Sequence, residues 1–187
     1  MKKRCAWPSD NPLMIEYHDK EWGVPVHDDR KLFEFMTLDA FQAGLSWSTI
    51  LNKRENFRRA FDNFDVNKIA KYDPKKVAKL LKDEGIIRNR LKIAATINNA
   101  VIFKNVQKEF GSFDKYIWQF VNGKPKINKC KTLRDIPVSS KESDLMSKDL
   151  KQRGFKFVGT TICYAFMQAA GMVNDHMVDC FRYKVKS

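Results

Sequence analysis

Four potential metal ligands stand in pairs at the two ends of the chain. Cys5 and His18 lie near the start, and His176 and Cys180 lie near the end. A separation of four residues puts His176 and Cys180 on one face if their segment is helical. Two thiolates and two imidazoles complete the tetrahedral ligand set of a structural zinc ion. The pattern predicts one Zn²⁺ per chain, which joins the N-terminal segment to a C-terminal helix. A His/Cys pair at this spacing also arises by chance, so a chain without metal remains the alternative.

The length of 187 residues suits one domain, 1–187, which we expect to form two helical lobes around a cleft. Four cysteines are too few for a disulfide-stapled scaffold, and the basic start, Met1 to Arg4, has no apolar run behind it. No stretch approaches the length of a membrane span. We therefore expect a cytoplasmic protein, a monomer that does not bind membranes.

Positive charge is in large excess. Lysine and arginine total 35 against 22 acidic residues, which gives a net charge of +13. This balance favours a polyanionic partner, above all nucleic acid. Basic enzymes with other partners share the same balance, so charge alone does not establish the partner.

Apolar residues recur at helical spacing, and no run alternates with a period of two, which predicts an all-α fold. The predicted helices run from Asp28 or Asp29 toward Ala43, from Trp47 to Phe61, from Asp73-Pro74 through Leu81, from Leu91 to Phe103, and from Ser112 to Phe120. The segment from Val121 to Val138 is predicted to be an ordered loop. A capping box over Ser139–Glu142 then opens a helix toward Leu150.

The segment Leu150–Thr161 has the pattern of a helix-hairpin-helix, within residues 150–170. Gly154 and Gly159 permit a positive φ and allow a phosphate to approach the backbone N–H groups of the second helix. Lys151, Arg153 and Lys156 add charge. An ordinary connection between two helices also needs a glycine, so a connection without a role in DNA binding remains the alternative.

Aromatic residues are concentrated near the N-terminus, together with one carboxylate and one amide. They are Trp7, Tyr17, Trp22 and Trp47, with Asp39 and Gln42 close in sequence to Trp47. A carboxylate beside aromatic faces is a suitable receptor for a flat cationic ring. Most buried aromatic residues are simply core, and this explanation applies to Phe33, Phe35 and Phe57.

Longer motifs carry a resemblance that extends from residue 5 to residue 180. They are Cys5-x-Trp7, Tyr17–Pro25, Gln42–Trp47, Lys53–Phe57, Gly154–Tyr164 and Val173–His176. In this order they resemble the DNA-3-methyladenine glycosylase I family, within the helix-hairpin-helix DNA glycosylase superfamily. The resemblance implies the helix-hairpin-helix DNA glycosylase fold. It also implies a monofunctional enzyme that excises 3-methyladenine from alkylated double-stranded DNA and leaves free 3-methyladenine as product.

The resemblance also assigns the site residues. It places the structural zinc on Cys5, His18, His176 and Cys180, and the base pocket on Tyr17 and Trp47. From the aromatic cluster itself we expect Gln42, Trp7 and Trp22 beside them. The expected DNA contacts are Gly154, Lys156, Gly159, Thr160 and Thr161. Asp39 stands where the family has a glutamate, and it is shorter by one methylene, or roughly 1.5 Å. A non-catalytic DNA-binding module and a glycosylase for another alkylated purine are therefore the alternatives.

Overall fold

The computed structural model describes residues 2–183, in which nine α-helices and two short strands are connected by turns and 3₁₀ segments. The helices are α1 (Pro12–Lys20), α2 (Asp29–Gln42), α3 (Trp47–Ala60), α4 (Val66–Ile69), α5 (Pro74–Lys82), α6 (Arg90–Phe110), α7 (Phe113–Trp118), α8 (Lys141–Gln152) and α9 (Thr160–Ala169). Within the described residues, none of these helices is long and apolar enough to cross a bilayer.

Side-chain caps explain where most of the helices begin. Asp28 and Asp73 accept hydrogen bonds from the N–H groups of Lys31 and Lys76, which would otherwise lack partners at a helix start. The predicted starts of α2 and α5 are confirmed. The predicted capping box before α8 is wrong by one residue, because the reciprocal bonds join Ser140 and Ser143 and not Ser139 and Glu142.

Helix α2 lies at the centre of the core. Its Leu32, Phe33, Phe35, Leu38 and Phe41 are completely buried, and it packs against α3, α6, α7 and α9. An α-helix that is apolar on nearly all sides must be surrounded by others. Because α2 is held on so many sides, the side chains at its C-terminal end have fixed positions.

The all-α prediction is wrong in one detail. Strands β1 (Lys126–Ile127) and β2 (Val173–Asn174) form a small parallel sheet, with Lys126 opposite Val173 and Ile127 opposite Asn174. Strand β1 lies inside the predicted loop. The predicted C-terminal helix is also absent, since the described chain from Asp175 to Tyr183 contains only turns, a bend and irregular residues.

The connection between α8 and α9 is a tight hairpin over residues 153–159. Gly154 has a φ of +95° and is a position where glycine is needed, but Gly159 has a φ of −62°. Gly159 therefore does not use the positive φ that glycine permits, and Phe157 takes the left-handed conformation instead, with φ +55°. Asn99 on α6 fixes this geometry, since its amide bonds both the N–H and the carbonyl of Lys156, at 2.8 and 2.9 Å.

Candidate functional site

The four sequence-predicted ligands converge on one point. The ligand atoms of Cys5, His18, His176 and Cys180 all lie within 4.8 Å of one another, and all four residues are buried. The Cys180 Sγ atom lies 3.5 Å from His18 Nε2 and 3.5 Å from His176 Nδ1, and Cys5 Sγ lies 3.6 Å from His176 Nδ1. A tetrahedral zinc with usual bond lengths puts sulfur and nitrogen ligands about 3.5–3.6 Å apart. The donor set therefore fits a structural metal ion.

The outer contacts of both histidines orient them as ligands. His18 Nδ1 lies 2.8 Å from the Asp19 carboxylate, and His176 Nε2 lies 2.9 Å from the backbone carbonyl of Trp22. Each ring therefore turns its other nitrogen toward the cysteines, as metal-binding histidines usually do. Burial lowers the pKa of His176 to about 4, so its imidazole is neutral at pH 7, the form that binds metals.

Backbone N–H groups support the two sulfur atoms. Met177 N lies 3.3 Å from Cys5 Sγ, and Arg182 N lies 3.5 Å from Cys180 Sγ. Burial raises the pKa of the Cys5 thiol to about 12. A thiolate at this position therefore requires a cation close by. A metal ion held by the four residues would be such a cation. The irregular chain after β2 brings His176 and Cys180 together without a helix.

A cavity of about 240 Å³ opens next to this cluster, and the ring of Trp7 in its wall lies 5.4 Å from the ring of His18. It is lined by Trp7, Met14, Tyr17, Trp22, Asp39, Gln42, Trp47, Leu133, Ile136, Ala165 and Gln168. All six residues predicted for a base pocket are among them. Within the cavity wall the ring centroids of Tyr17 and Trp47 lie 5.1 Å apart at 52°.

Three polar atoms at this cavity are buried without a hydrogen-bond partner in the described chain. They are Trp7 Nε1, Trp47 Nε1 and Asp39 Oδ2. Buried polar groups are normally paired, and exceptions call for an explanation such as a ligand. Two N–H donors and one carboxyl acceptor are the groups that a heteroaromatic ring with an amino substituent would satisfy. The cavity is therefore built for such a ring.

Asp39 is the acidic group in the cavity wall. It is only 4% exposed, and burial raises its pKa well above the ordinary aspartate value, while the positive charge of Arg54 acts in the opposite direction. Arg54 itself is held behind the cavity by Glu21 and Glu34, at 2.7 Å from each. An uncharged cavity thus favours the neutral carboxyl, and a cation in the cavity would favour the carboxylate.

Several residues of the site were not found from the sequence. Met14, Leu133, Ile136, Ala165 and Gln168 also line the cavity. Leu133 and Ile136 come from the segment predicted only as an ordered loop, and nothing in their spacing distinguishes them from core residues. The Glu21–Arg54–Glu34 group could have been suspected from the motifs that contain Glu21 and Arg54, but its ion pairs depend on the fold.

The hairpin lies next to this cavity. A second hollow, of about 250 Å³, is lined by Asp39, Gln42, Ala43, Gly44, Leu45, Thr161, Ile162 and Ala165, so it joins the base of the cavity to the start of α9. Nothing lies within 4 Å of a Cβ built on Gly159. The Thr160 hydroxyl is already engaged with Ser143 and Asp144, at 2.8 and 2.6 Å. Backbone N–H groups at the α9 start, and not this hydroxyl, are therefore open to an anion.

An aromatic cavity with a buried carboxyl, next to a helix start whose N–H groups are open, suits a protein that binds a flat ring beside an anion. A family model described as methyladenine glycosylase matches residues 7–183, and the chain belongs to this family. It is 52% identical over 181 residues to DNA-3-methyladenine glycosylase 1 of Escherichia coli (strain K12), covering 97% of each chain.

Solved structures agree with this assignment. A crystal structure of 3-methyladenine DNA glycosylase I matches with a TM-score of 0.94 and 52% identity, over 97% of this chain and all of that one. A tyrosine-to-phenylalanine variant of a 3-methyladenine DNA glycosylase I, in complex with 3-methyladenine, also matches with a TM-score of 0.94. It is 35% identical and covers 98% of this chain and 99% of its own.

Proposed function

We propose that this chain is a monofunctional DNA glycosylase that releases 3-methyladenine from alkylated double-stranded DNA by hydrolysis. The observation that carries the proposal is the Asp39 carboxyl, buried without a partner in an aromatic cavity. The volume of about 240 Å³ lies below the roughly 300–1,000 Å³ of most ligand pockets and suits a nucleobase alone. The relative in complex with 3-methyladenine supports the same ligand.

Methylation at N3 explains why a carboxyl group and aromatic faces are suitable. The methylated adenine in DNA carries a positive charge, which the electron-rich faces of Tyr17 and Trp47 attract. Each stacked face contributes about 1–3 kcal/mol. Asp39 accepts hydrogen bonds from the base and supplies a compensating negative charge. Its raised pKa works in favour of selectivity, because a neutral base leaves the carboxyl protonated and gains less from it.

The charge on the leaving base also determines the mechanism. A cationic base leaves from C1′ without being protonated, so the site needs no strong general acid. The enzyme flips the nucleotide into the cavity, holds the cationic ring, and leaves the oxocarbenium-like sugar open to water. Among the described residues, none that lines the cavity carries an amine. Base release without strand cleavage follows, since no covalent Schiff base with the sugar forms.

The hairpin supplies the proposed grip on DNA. Gly154, Lys156 and Gly159 belong to the hairpin, and Thr160 and Thr161 begin α9. The open space at Gly159 lets a phosphate approach the N–H groups of this helix start. The helix dipole and the net charge of +13 favour this approach. Such contacts carry no sequence information, so they suit an enzyme that must find a lesion in any sequence.

We further propose that the four-ligand centre holds one Zn²⁺, which has a structural role. A closed set of two cysteines and two histidines leaves no position for a reacting water. Trp7 follows Cys5 by two residues, Tyr17 directly precedes His18, and the Trp22 carbonyl faces His176. The ion therefore fixes three of the aromatic walls of the base cavity at once.

A base-release assay tests the function. DNA treated with a radiolabelled methylating agent is incubated with the protein, and the released bases are separated by chromatography. Wild type and Asp10→Asn, which changes an exposed aspartate, should release mainly 3-methyladenine. Asp39→Asn should release it about tenfold or more slowly, because a charged hydrogen bond of about 1.5–3 kcal/mol is lost. No release by wild type would indicate a binding module, and release of another base would change the assigned substrate.

A further inference from the structure

We propose that Gln168 is a specificity residue of the base cavity, held by Asp175 so that its side-chain carbonyl oxygen faces the bound base. This oxygen would accept a hydrogen bond from the exocyclic amino group of adenine. The inference rests on the proposed function and adds a second acceptor to the one that Asp39 provides. It assigns a role to Asp175, a buried carboxylate that the mechanism above does not use.

Asp175 is held by three donors. It is only 1% exposed, and it accepts hydrogen bonds from Asn128 Nδ2 at 2.6 Å, from the Tyr164 hydroxyl at 2.8 Å and from Gln168 Nε2 at 2.7 Å. These donors come from the segment after β1 and from two turns of α9. A carboxylate with three donors in a buried position has little freedom to move.

The carboxylate determines which way the Gln168 amide points. An ionised carboxylate only accepts hydrogen bonds, so the NH₂ group of Gln168 must face Asp175 and the carbonyl oxygen must face away. Gln168 lines the base cavity and is partly exposed. Its Oε1 accepts no hydrogen bond from the described residues and is not enclosed by them. The oxygen is therefore available to a ligand in the cavity.

Two acceptors in one cavity distinguish an amino group from a carbonyl. The C6 amino group of adenine has two hydrogens, one for Asp39 and one for Gln168. Guanine has an oxygen at C6, which would face these acceptors without a proton between them. A site built around hydrogen bonds rejects a ligand that cannot make them much more strongly than an apolar pocket does. Gln168 and Asp39 together would therefore favour methylated adenine over methylated guanine in this cavity.

The test compares methylated bases released from the same DNA. Gln168→Met keeps the length of the side chain and removes its polar groups, and Asp175→Asn removes the constraint, since an asparagine amide both donates and accepts. Either change should lower the release of 3-methyladenine relative to 3-methylguanine about tenfold. The matched control is Asp149→Asn, which alters another carboxylate that accepts from a tyrosine, Tyr116, away from the cavity. Its ratio should equal that of wild type.

Melting temperature and zinc content are measured for each variant. A purely structural role would slow the release of both bases equally and leave their ratio unchanged. If Asp175→Asn does not fold, Gln168→Met alone decides. A wild-type ratio in Gln168→Met would overturn the inference and leave the proposed function standing. Failure of wild type to release any methylated base would overturn both.

Discussion

Replacing Cys180 by serine tests how much the metal centre stabilises the fold. Serine removes the thiolate whose sulfur lies 3.5 Å from both His18 Nε2 and His176 Nδ1. Three ligands hold a structural zinc far less tightly than four, and the serine hydroxyl is not ionised at neutral pH. We expect Cys180→Ser to lose its metal during purification.

The size of the effect follows from linkage, because the metal binds the folded chain and not the unfolded one. Cys5 and His176 are 171 residues apart in sequence, so the ligand set exists only once the chain has folded. A metal present at about 100 to 1,000 times its Kd stabilises the folded state by about 2.7–4.1 kcal/mol. Domains of this kind are stable by about 5–15 kcal/mol, so the loss amounts to a large share of the total. The variant should therefore be partly unfolded or denature at much lower urea concentration.

Elemental analysis gives the metal content of the variant. Urea unfolding, monitored by circular dichroism, gives its unfolding free energy. Cys163→Ser is the matched control, because Cys163 is equally buried and its Sγ donates to the Val158 carbonyl at 3.4 Å, a bond that serine can replace. It should retain one zinc per chain and nearly all of its stability. Full zinc occupancy and an unchanged unfolding free energy in Cys180→Ser would refute the metal assignment.

Four further predictions concern stability and DNA binding. Gly171→Ala should destabilise the protein by about 3 kcal/mol or more in urea unfolding. The added Cβ would lie 2.1 Å from the Val24 carbonyl carbon, and φ at Gly171 is +68°. An unchanged unfolding midpoint would contradict this close approach of the two backbone segments. Burial acts to raise the pKa of Glu21, but hydrogen bonds from Arg54 outweigh it and lower this pKa from 4.5 to about 2. The stability that this carboxylate contributes is therefore present above pH 4.5 and is lost as the pH falls toward 2. The loss over this pH range should be smaller in Glu21→Gln. Duplex affinity should fall steeply with salt. Gly159→Val, at a φ of −62°, should fold normally and bind duplex DNA more weakly, whereas equal binding would place the phosphate contact elsewhere.

Helix starts could be predicted from the sequence because their causes are local. Asp28, Asp73 and Ser112 cap helices through hydrogen bonds to N–H groups three residues later, so four residues contain the whole signal. The one-residue error before α8 arises because two adjacent serines satisfy this local signal. Ser139 and Ser140 are both suitable caps by residue type, and the structure uses Ser140.

The small sheet and the end of the described chain depend on distant partners. Strand β1 has two residues and pairs with β2 across 47 positions, Lys126 opposite Val173, so neither strand has a pattern of its own. The spacing of His176 and Cys180 suggested a helix, but their convergence comes from turns. The residue types were sufficient to predict a four-residue cluster that could hold a metal ion, but the turns that carry two of these residues could not be predicted.

The residues of the cavity could also be predicted only in part. Its aromatic residues and Asp39 could be proposed because a carboxylate beside aromatic faces suits a flat cationic ring, and because the motifs that contain Tyr17 and Trp47 resemble a known family. Gln168 could not, because a glutamine on a helix is ordinary until Asp175 is found beside its amide. The positive φ at Phe157 was unexpected for a similar reason, since Asn99, 57 residues earlier than Lys156, fixes the hairpin.

Binding of free bases to Asp39→Asn tests most directly whether Asp39 recognises the charge of the methylated base. Calorimetric titration is done with 3-methyladenine, at a pH where it is cationic, and with neutral adenine. The change keeps the size of the side chain and removes its negative charge, so the affinity for 3-methyladenine should fall about tenfold more than that for adenine. Trp47→Ala should weaken both, since stacking depends less on ring charge. Equal affinities of wild type and Asp39→Asn for 3-methyladenine would contradict the account.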